Sequence, residues 1–303
     1  ERNITVVLSP SASIDAPADD GIDLNGSSNV TLNSGSSVNG LGSYDAIRFS
    51  DGDIAYSGSS TVTLNDASAS AQYGNVLDVQ LGAGVGYTKG SYTGDSFTLS
   101  ASKSNLSNNY YPGGYSTADA VKVDTGVYIE FGVGSTTEAT AGDITVDFSE
   151  TKLNSYGNGL NLKSIGYAKG LYDASANGGA VSVELSQNSS INTKFYGAGK
   201  NGGGTGILVT TGGVAKTKYG EYDDNYAGSY AGMISIGLDA SSVSAEDDGI
   251  AAQGVAYAKA GGVGSEAMAD GGTIDITLAN GSSVDGLDSG IIASTYGKYG
   301  KGG

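Results

Sequence analysis

The stretch SSVSAEDDGIAAQG, residues 241–254, sets Asp247 and Asp248 side by side on a serine-rich approach to an apolar step. Adjacent carboxylates are the raw material of general acid–base chemistry and of hard-cation binding, but either use needs further groups held opposite them. The chain has no His and no Cys, which removes imidazole mechanisms, Ser–His and Cys–His nucleophiles and thiolate metal sites. Arg2 and Arg48 are its only arginines, and no aspartate cluster falls with either on one strand face, as a calcium-assisted lyase would need. No two acids stand out as a glycosidase pair. NGGGTG, residues 201–206, lacks the Lys-Ser/Thr and helix of a phosphate loop, and the calcium-binding Gly-Gly-x-Gly-x-Asp nonapeptide does not occur. The residue types therefore point away from an enzyme and imply no cofactor and no metal.

Recurrence explains the pair. ADDGID at Asp19-Asp20, EDDGIA at Asp247-Asp248 and LDSGII at Asp288 occupy the same slot in different segments. There Asp bonds local amides and Gly takes conformations closed to other residues, so the carboxylates read as turn residues.

The segments belong to a repeat that runs through the chain. A strand of the form apolar-x-apolar-x-Leu recurs eight times: ITVVL at Ile4, VTL at Val30 and Val62, FTL at Phe97, ITVDF at Ile144, VSVEL at Val181, ISIGL at Ile234 and IDITL at Ile274. Period-two alternation marks each as a strand with one buried face. A small-polar step ending in one apolar residue follows, as at Ile14, Val38, Ile191, Val243 and Val284. A third short strand comes next, at Ile22, Ile47, Leu160, Ile207, Ile250 and Ile291.

Among the 303 residues are 51 Gly, 20 Tyr and only 3 Pro, with 38% hydrophobic and 16% charged residues. Small turn formers alternate with Val, Ile and Leu, and sustained helical periodicity is missing, so the class is all-β. The shortest unit, Leu8 to Leu32, has 24 residues, and the longest, Leu185 to Leu238, has 53. Three strands and three turns in two dozen residues predict a single parallel β-solenoid spanning residues 1–303, with about eight three-stranded coils. These begin near residues 4, 29, 61, 96, 143, 180, 233 and 273. At one strand spacing per coil, eight coils make a rod of roughly 38 Å.

The unit of apolar-x-apolar-x-Leu, Ser-Ser-Val, Asp-Gly-Ile and a Gly-rich loop resembles bacterial autotransporter passengers and related secreted β-helix adhesins. The segment GGTIDITLANGSSVDGLDSGIIAS, residues 271–294, carries the likeness best. The resemblance implies export, a right-handed β-helix and a surface role in adhesion or scaffolding. The translocator barrel that usually follows such passengers has no counterpart in these residues.

A net charge of −17 disfavours nucleic acid and anionic membranes as partners, and no run of 18 apolar residues spans a membrane as a helix. The chain opens at Glu1 without an initiator Met, as after removal of a leader or in a segment of a longer chain. Length variation concentrates in Gly/Tyr-rich insertions read as loops. They lie between the second and third strands (107–119, 193–205) and after the third (84–94, 166–179, 216–232, 254–272). On an adhesin reading, Tyr87, Tyr92, Tyr167, Tyr172, Tyr219, Tyr222, Tyr226 and Tyr230 form the contact surface, with surface polysaccharide or neighbouring cells as partners. The open ends of a solenoid invite pairing. Ile4, Val6 and Leu8 at one end and Ile274, Ile276, Leu278 and Ile291 at the other are the expected assembly residues, joining copies head to tail or meeting further coils of a longer chain. The expected function is an extracellular structural or adhesive surface fibre; the alternatives are a monomeric adhesin and, further off, a polysaccharide-degrading β-helix enzyme.

Overall fold

The computed structural model describes residues 4–50, 58–85, 88–109, 118–194, 204–217, 225–262 and 264–301. Among these the regular structure is all strand, and every strand pairing is parallel. Successive strands do not pair with each other. Each pairs instead with its counterpart one repeat away, so the chain visits three sheets in turn.

The first sheet has eight strands, from Ile4–Leu8 through Ile144–Ser149 and Val181–Ser186 to Ile274–Ala279. The second also has eight, from Ser13–Ala16 to Ser283–Gly286. The third begins with the short strands Ile22–Asn25, Ile47–Ser50, Leu77–Gln80 and Val121–Asp124. It continues into the long Leu160–Gly170, Ile207–Thr217, Asp248–Ala260 and Ser289–Lys301. Inward residues form columns of like side chains. Ile22, Ile47, Leu77, Val121, Leu160, Ile207, Ile250 and Ile291 follow one another in register. The three inner faces share one apolar core running through the stack.

In the first sheet the fourth strand sits one inward step away from the sequence alignment. Leu99 pairs with Val62, and Ala101 takes the place opposite Leu64. A slip of two residues keeps every side chain on its own face, so alternation alone does not distinguish the two registers.

The segments expected as loops after the third strand are largely strand. Their described parts include Ala83–Val85, Thr88–Thr93, Asp173–Asn177, Tyr226–Tyr230 and Glu266–Asp270, and Val127–Thr140, outside those segments, is strand as well. These build a second limb on the third sheet. The long strands run past the main core, and Asp173–Asn177, Tyr226–Tyr230 and Glu266–Asp270 pack back on them over a second, mostly alanine core. Alanine is needed because the layers lie close. A Cβ at Gly166 would stand 2.6 Å from the Ala139 carbonyl oxygen. The repeated tripeptides Tyr167-Ala168-Lys169, Val214-Ala215-Lys216 and Tyr257-Ala258-Lys259 hold the pattern, with alanine inward and the flanking residues outward.

A buried hydroxyl seam separates the two cores at Thr125, Ser164 and Thr211. The Thr125 and Ser164 hydroxyls donate to the Gly142 carbonyl at 2.6 and 2.8 Å, and Thr211 donates to Gly232 at 3.0 Å. Ser164 Oγ also accepts the Gly179 N–H at 2.9 Å. These bonds satisfy backbone groups where the chain leaves the second limb and re-enters the first sheet. At the corner from first to second sheet each repeat holds a residue with positive φ: Ser11, Gly35, Asp66, Lys103, Glu150, Asn188, Ala240 and Asn280.

Two outcomes follow for unfolding in urea. Ser164→Ala leaves the Gly179 N–H buried without its acceptor and lowers stability by about 1–3 kcal/mol. Ala240→Gly relieves a left-handed conformation, partly offset by glycine's chain entropy, and raises stability by about 0.5–1 kcal/mol.

Candidate functional site

The recurring aspartates come first. Asp20, Asp45, Asn75, Asp119, Asn158, Thr205 and Asp248 stack in one column at the entry to the third sheet. The side chains of Asp20, Asp45, Asp119 and Asn158 serve the backbone of the next repeat. Asp20 Oδ1 accepts the Asp45 N–H at 2.8 Å, Asp45 Oδ1 accepts Asn75 N–H at 2.7 Å and Asp119 Oδ1 accepts Asn158 N–H at 3.0 Å. Asp247 lies one residue outside this column, where its Oδ2 accepts the Thr205 hydroxyl at 3.3 Å. Its carboxyl is held above the ordinary aspartate range, by desolvation first and by Asp248 second. Among the described residues no group of three or more His, Cys, Asp or Glu comes together as a metal site would require. The column is a hydrogen-bonded turn ladder.

The outer face of the second limb carries a different arrangement. Tyr128, Tyr167, Val214, Tyr257 and Lys298 share one column, and Lys169, Lys216 and Lys259 share the column two residues on. Tyr128 and Tyr167 stack with ring centroids 4.3 Å apart and planes 21° from parallel. Between Tyr167 and Tyr257 the column holds only Val214, and Lys216 fills the gap. Its Nζ lies 5.5 Å from the Tyr167 centroid and 5.6 Å from that of Tyr257, within cation–π range of both. The Tyr128 phenol is held above its ordinary pKa by desolvation first, then by Tyr167 and Glu130, while Lys216 opposes the shift.

The row of rings stops at Tyr128. Its partner in the preceding repeat is Gly84, and the adjacent floor is formed by Gly82 and Gly126. A groove of about 500 Å³ opens there, walled by Tyr128 and Tyr167 and rimmed by Gln80, Lys122, Asp124 and Lys163. Lys163 Nζ donates to Asp124 Oδ2 at 2.9 Å, Asp124 Oδ1 accepts the Gly126 N–H at 2.9 Å, and Lys122 Nζ lies 3.6 Å from Asp78 Oδ1. The arrangement offers aromatic walls, donors and acceptors at the rim and a floor of Gly82, Gly126 and Ile165, which suits binding.

The expected contact tyrosines separate. Tyr87, Tyr219 and Tyr222 lie outside the described residues. Tyr92 turns inward and packs on the alanine core. Tyr167 belongs to the outer column, and Tyr172 is exposed in the turn that follows its strand. Tyr226 and Tyr230 join their hydroxyls at 2.7 Å on the outside of the limb, and Tyr230 reaches the Met268 sulfur at 3.5 Å. The Tyr226 phenol is pushed up to about 12, chiefly by that bond to Tyr230. Tyr128, Lys216 and Tyr257 lie outside the expected contact set; the x-Ala-Lys recurrence at 167–169, 214–216 and 257–259 is the signal for Lys216 and Tyr257, and Tyr128 has none.

The expected assembly residues lie on the two terminal repeats. Leu8 is buried, Val6, Ile274 and Ile276 are half-buried, and Ile4, Leu278 and Ile291 are exposed. Comparison with known proteins found no matching family model, curated protein or solved structure.

The Asp45 carboxyl is raised to about 6 by desolvation, opposed by the Asn75 N–H and reinforced by Asp78 and Asp20. A raised folded-state pKa gives stability that is complete below the unfolded value of 3.8 and is lost as the pH rises through about 6. Asp45→Asn keeps an acceptor without the charge. Chemical denaturation at a series of pH values should show the variant more stable at pH 7 by about 1 kcal/mol, after allowance for solvent screening, with a flatter profile between pH 4 and 6.

Proposed function

We propose that the chain is a β-solenoid rod that serves as an extracellular structural and adhesive surface protein, and that a further coil stacks on its last repeat. The observation that carries this reading is the uncovered inner face of that repeat. Ile291 is 43% exposed, whereas Ile250, its register partner one repeat inward, is fully buried. Leu278 and, farther along the same strand as Ile291, Tyr299 are also exposed, and Ser289–Lys301, Ile274–Ala279 and Ser283–Gly286 each keep one unpaired edge among the described strands. Edges and apolar faces of this kind invite addition of another strand.

A second copy matches part of this surface. Continuing the observed register would set Ile4 on Ile274, Val6 on Ile276, Leu8 on Leu278, Ile14 on Val284 and Ile22 on Ile291, each apolar on apolar. The third strand of the first repeat ends at Asn25, so this copy would leave Thr295–Lys301 uncovered. A coil with a long third strand, like Ile207–Thr217 or Asp248–Ala260, would cover the whole end. That length match favours further coils of the long-strand kind within an extended fibre over simple head-to-tail joining. The charge of −17 on each copy also opposes self-association at low salt.

Electron microscopy and sedimentation of the 303-residue chain, with the intact mass of the native polypeptide, test both forms. Filaments that lengthen with added salt and are abolished by Ile291→Asp support head-to-tail joining. A monomeric 303-residue chain beside a heavier native polypeptide that forms longer rods supports additional coils. A native mass equal to that of these 303 residues, with monomers at every concentration, would overturn the fibre reading.

A further inference from the structure

We infer that the groove beneath Tyr128 is a saccharide-binding site that takes a neutral pyranose ring against the open face of that tyrosine. The inference does not depend on how rods join, because the groove lies on the side of the stack, away from both terminal repeats.

The site arises where two kinds of repeat meet. From Tyr128 onward the outer column is filled by Tyr167, Lys216 and Tyr257, which cover one another's faces. On the other side of Tyr128 the column continues as Gly84, which has no side chain of its own to place on the ring. Tyr128 is accordingly 43% exposed although its first face is stacked at 4.3 Å. The ring is held rigidly. Tyr167 backs it, Lys216 backs Tyr167, and the strand beneath is bonded on both sides.

The glycine floor is required by the backbone. A Cβ at Gly82 would approach the Gly126 carbonyl oxygen to 2.8 Å, and one at Gly126 would approach Asp124 Oδ1 and the Ile165 carbonyl to 2.9 Å. The volume of about 500 Å³ falls within the ordinary range for small-molecule sites, roughly 300–1,000 Å³.

Charge and geometry select the ligand class. The rim presents Lys122 and Lys163 as donors and Asp124 and Gln80 as acceptors, and the lysines are already offset by Asp78 and Asp124. A balanced rim on a chain of charge −17 disfavours an anion, and the two lysines disfavour a cation. A pyranose has an apolar C–H face for the tyrosine and a rim of hydroxyls that both donate and accept, which the groove matches on both counts. A purely apolar ligand would use the tyrosine and none of the polar groups at the rim.

The test is titration of the 303-residue protein with neutral hexasaccharides of glucose, mannose, galactose and N-acetylglucosamine, followed by calorimetry and by quenching of tyrosine fluorescence. At least one should bind. Tyr128→Ala should weaken that binding by about tenfold or more, Tyr128→Phe should keep it, and Tyr299→Ala, on the last repeat, should leave it unchanged. Circular dichroism and the melting temperature identify any variant that has lost its fold; in that case Lys122→Ala, at the rim, provides the comparison and should weaken binding. Absence of binding by every hexasaccharide, or binding indifferent to both Tyr128→Ala and Lys122→Ala, would overturn the proposal. Preferential binding of an anionic polysaccharide such as polygalacturonate would overturn the assignment of a neutral ligand.

Discussion

The structure depends on parallel pairing in which each residue faces its equivalent one repeat away. This constraint turns any position into a column, and the column selects the side chains it can hold. Where it points inward, like apolar residues nest at one strand spacing, as from Ile22 through Leu160 to Ile291. Where it passes a turn, a carboxylate or amide bonds the next repeat's N–H, as from Asp20 to Asp45 to Asn75. Where it points outward on the second limb, Tyr128 stacks on Tyr167 and the Lys216 ammonium bridges Tyr167 and Tyr257. Each contact is small, but repetition along the stack makes them collectively large.

The same constraint accounts for the thin composition. A core fed by one or two residues from each strand needs few large side chains, and the second core manages largely with alanine. Close approach of backbones then replaces side-chain volume, and it succeeds because hydroxyls such as Ser164 and Thr211 meet the carbonyls that this approach would otherwise bury unpaired.

Much of this was legible in the sequence, and what was not has identifiable physical causes. The all-β class and the parallel arrangement of equivalent strands followed from alternation and recurrence, and so did the structural part played by Asp20. The register of Leu99 was not legible, because a two-residue slip preserves alternation. Nor was the second limb, because Gly, Ala and Ser are usually turn residues and here form strands packed closely on one another. Tyr92 looked like the other loop tyrosines but faces the alanine core, a distinction that depends on its position in the pleat. Tyr128 stood in a segment without an obvious repeat, so its open face emerged only from the pairing with Gly84.

The limb begins partway along the stack: among the described residues of 4–80 the third strands are all short, while later repeats carry the added layer. A beam thickened on one flank resists bending unequally in two perpendicular directions, and here that inequality also changes along its length. Under load the slender portion would flex first and the flanged portion would follow chiefly in its thin direction. Applied force would therefore bend such a stack near one end while its broad side kept a nearly constant orientation.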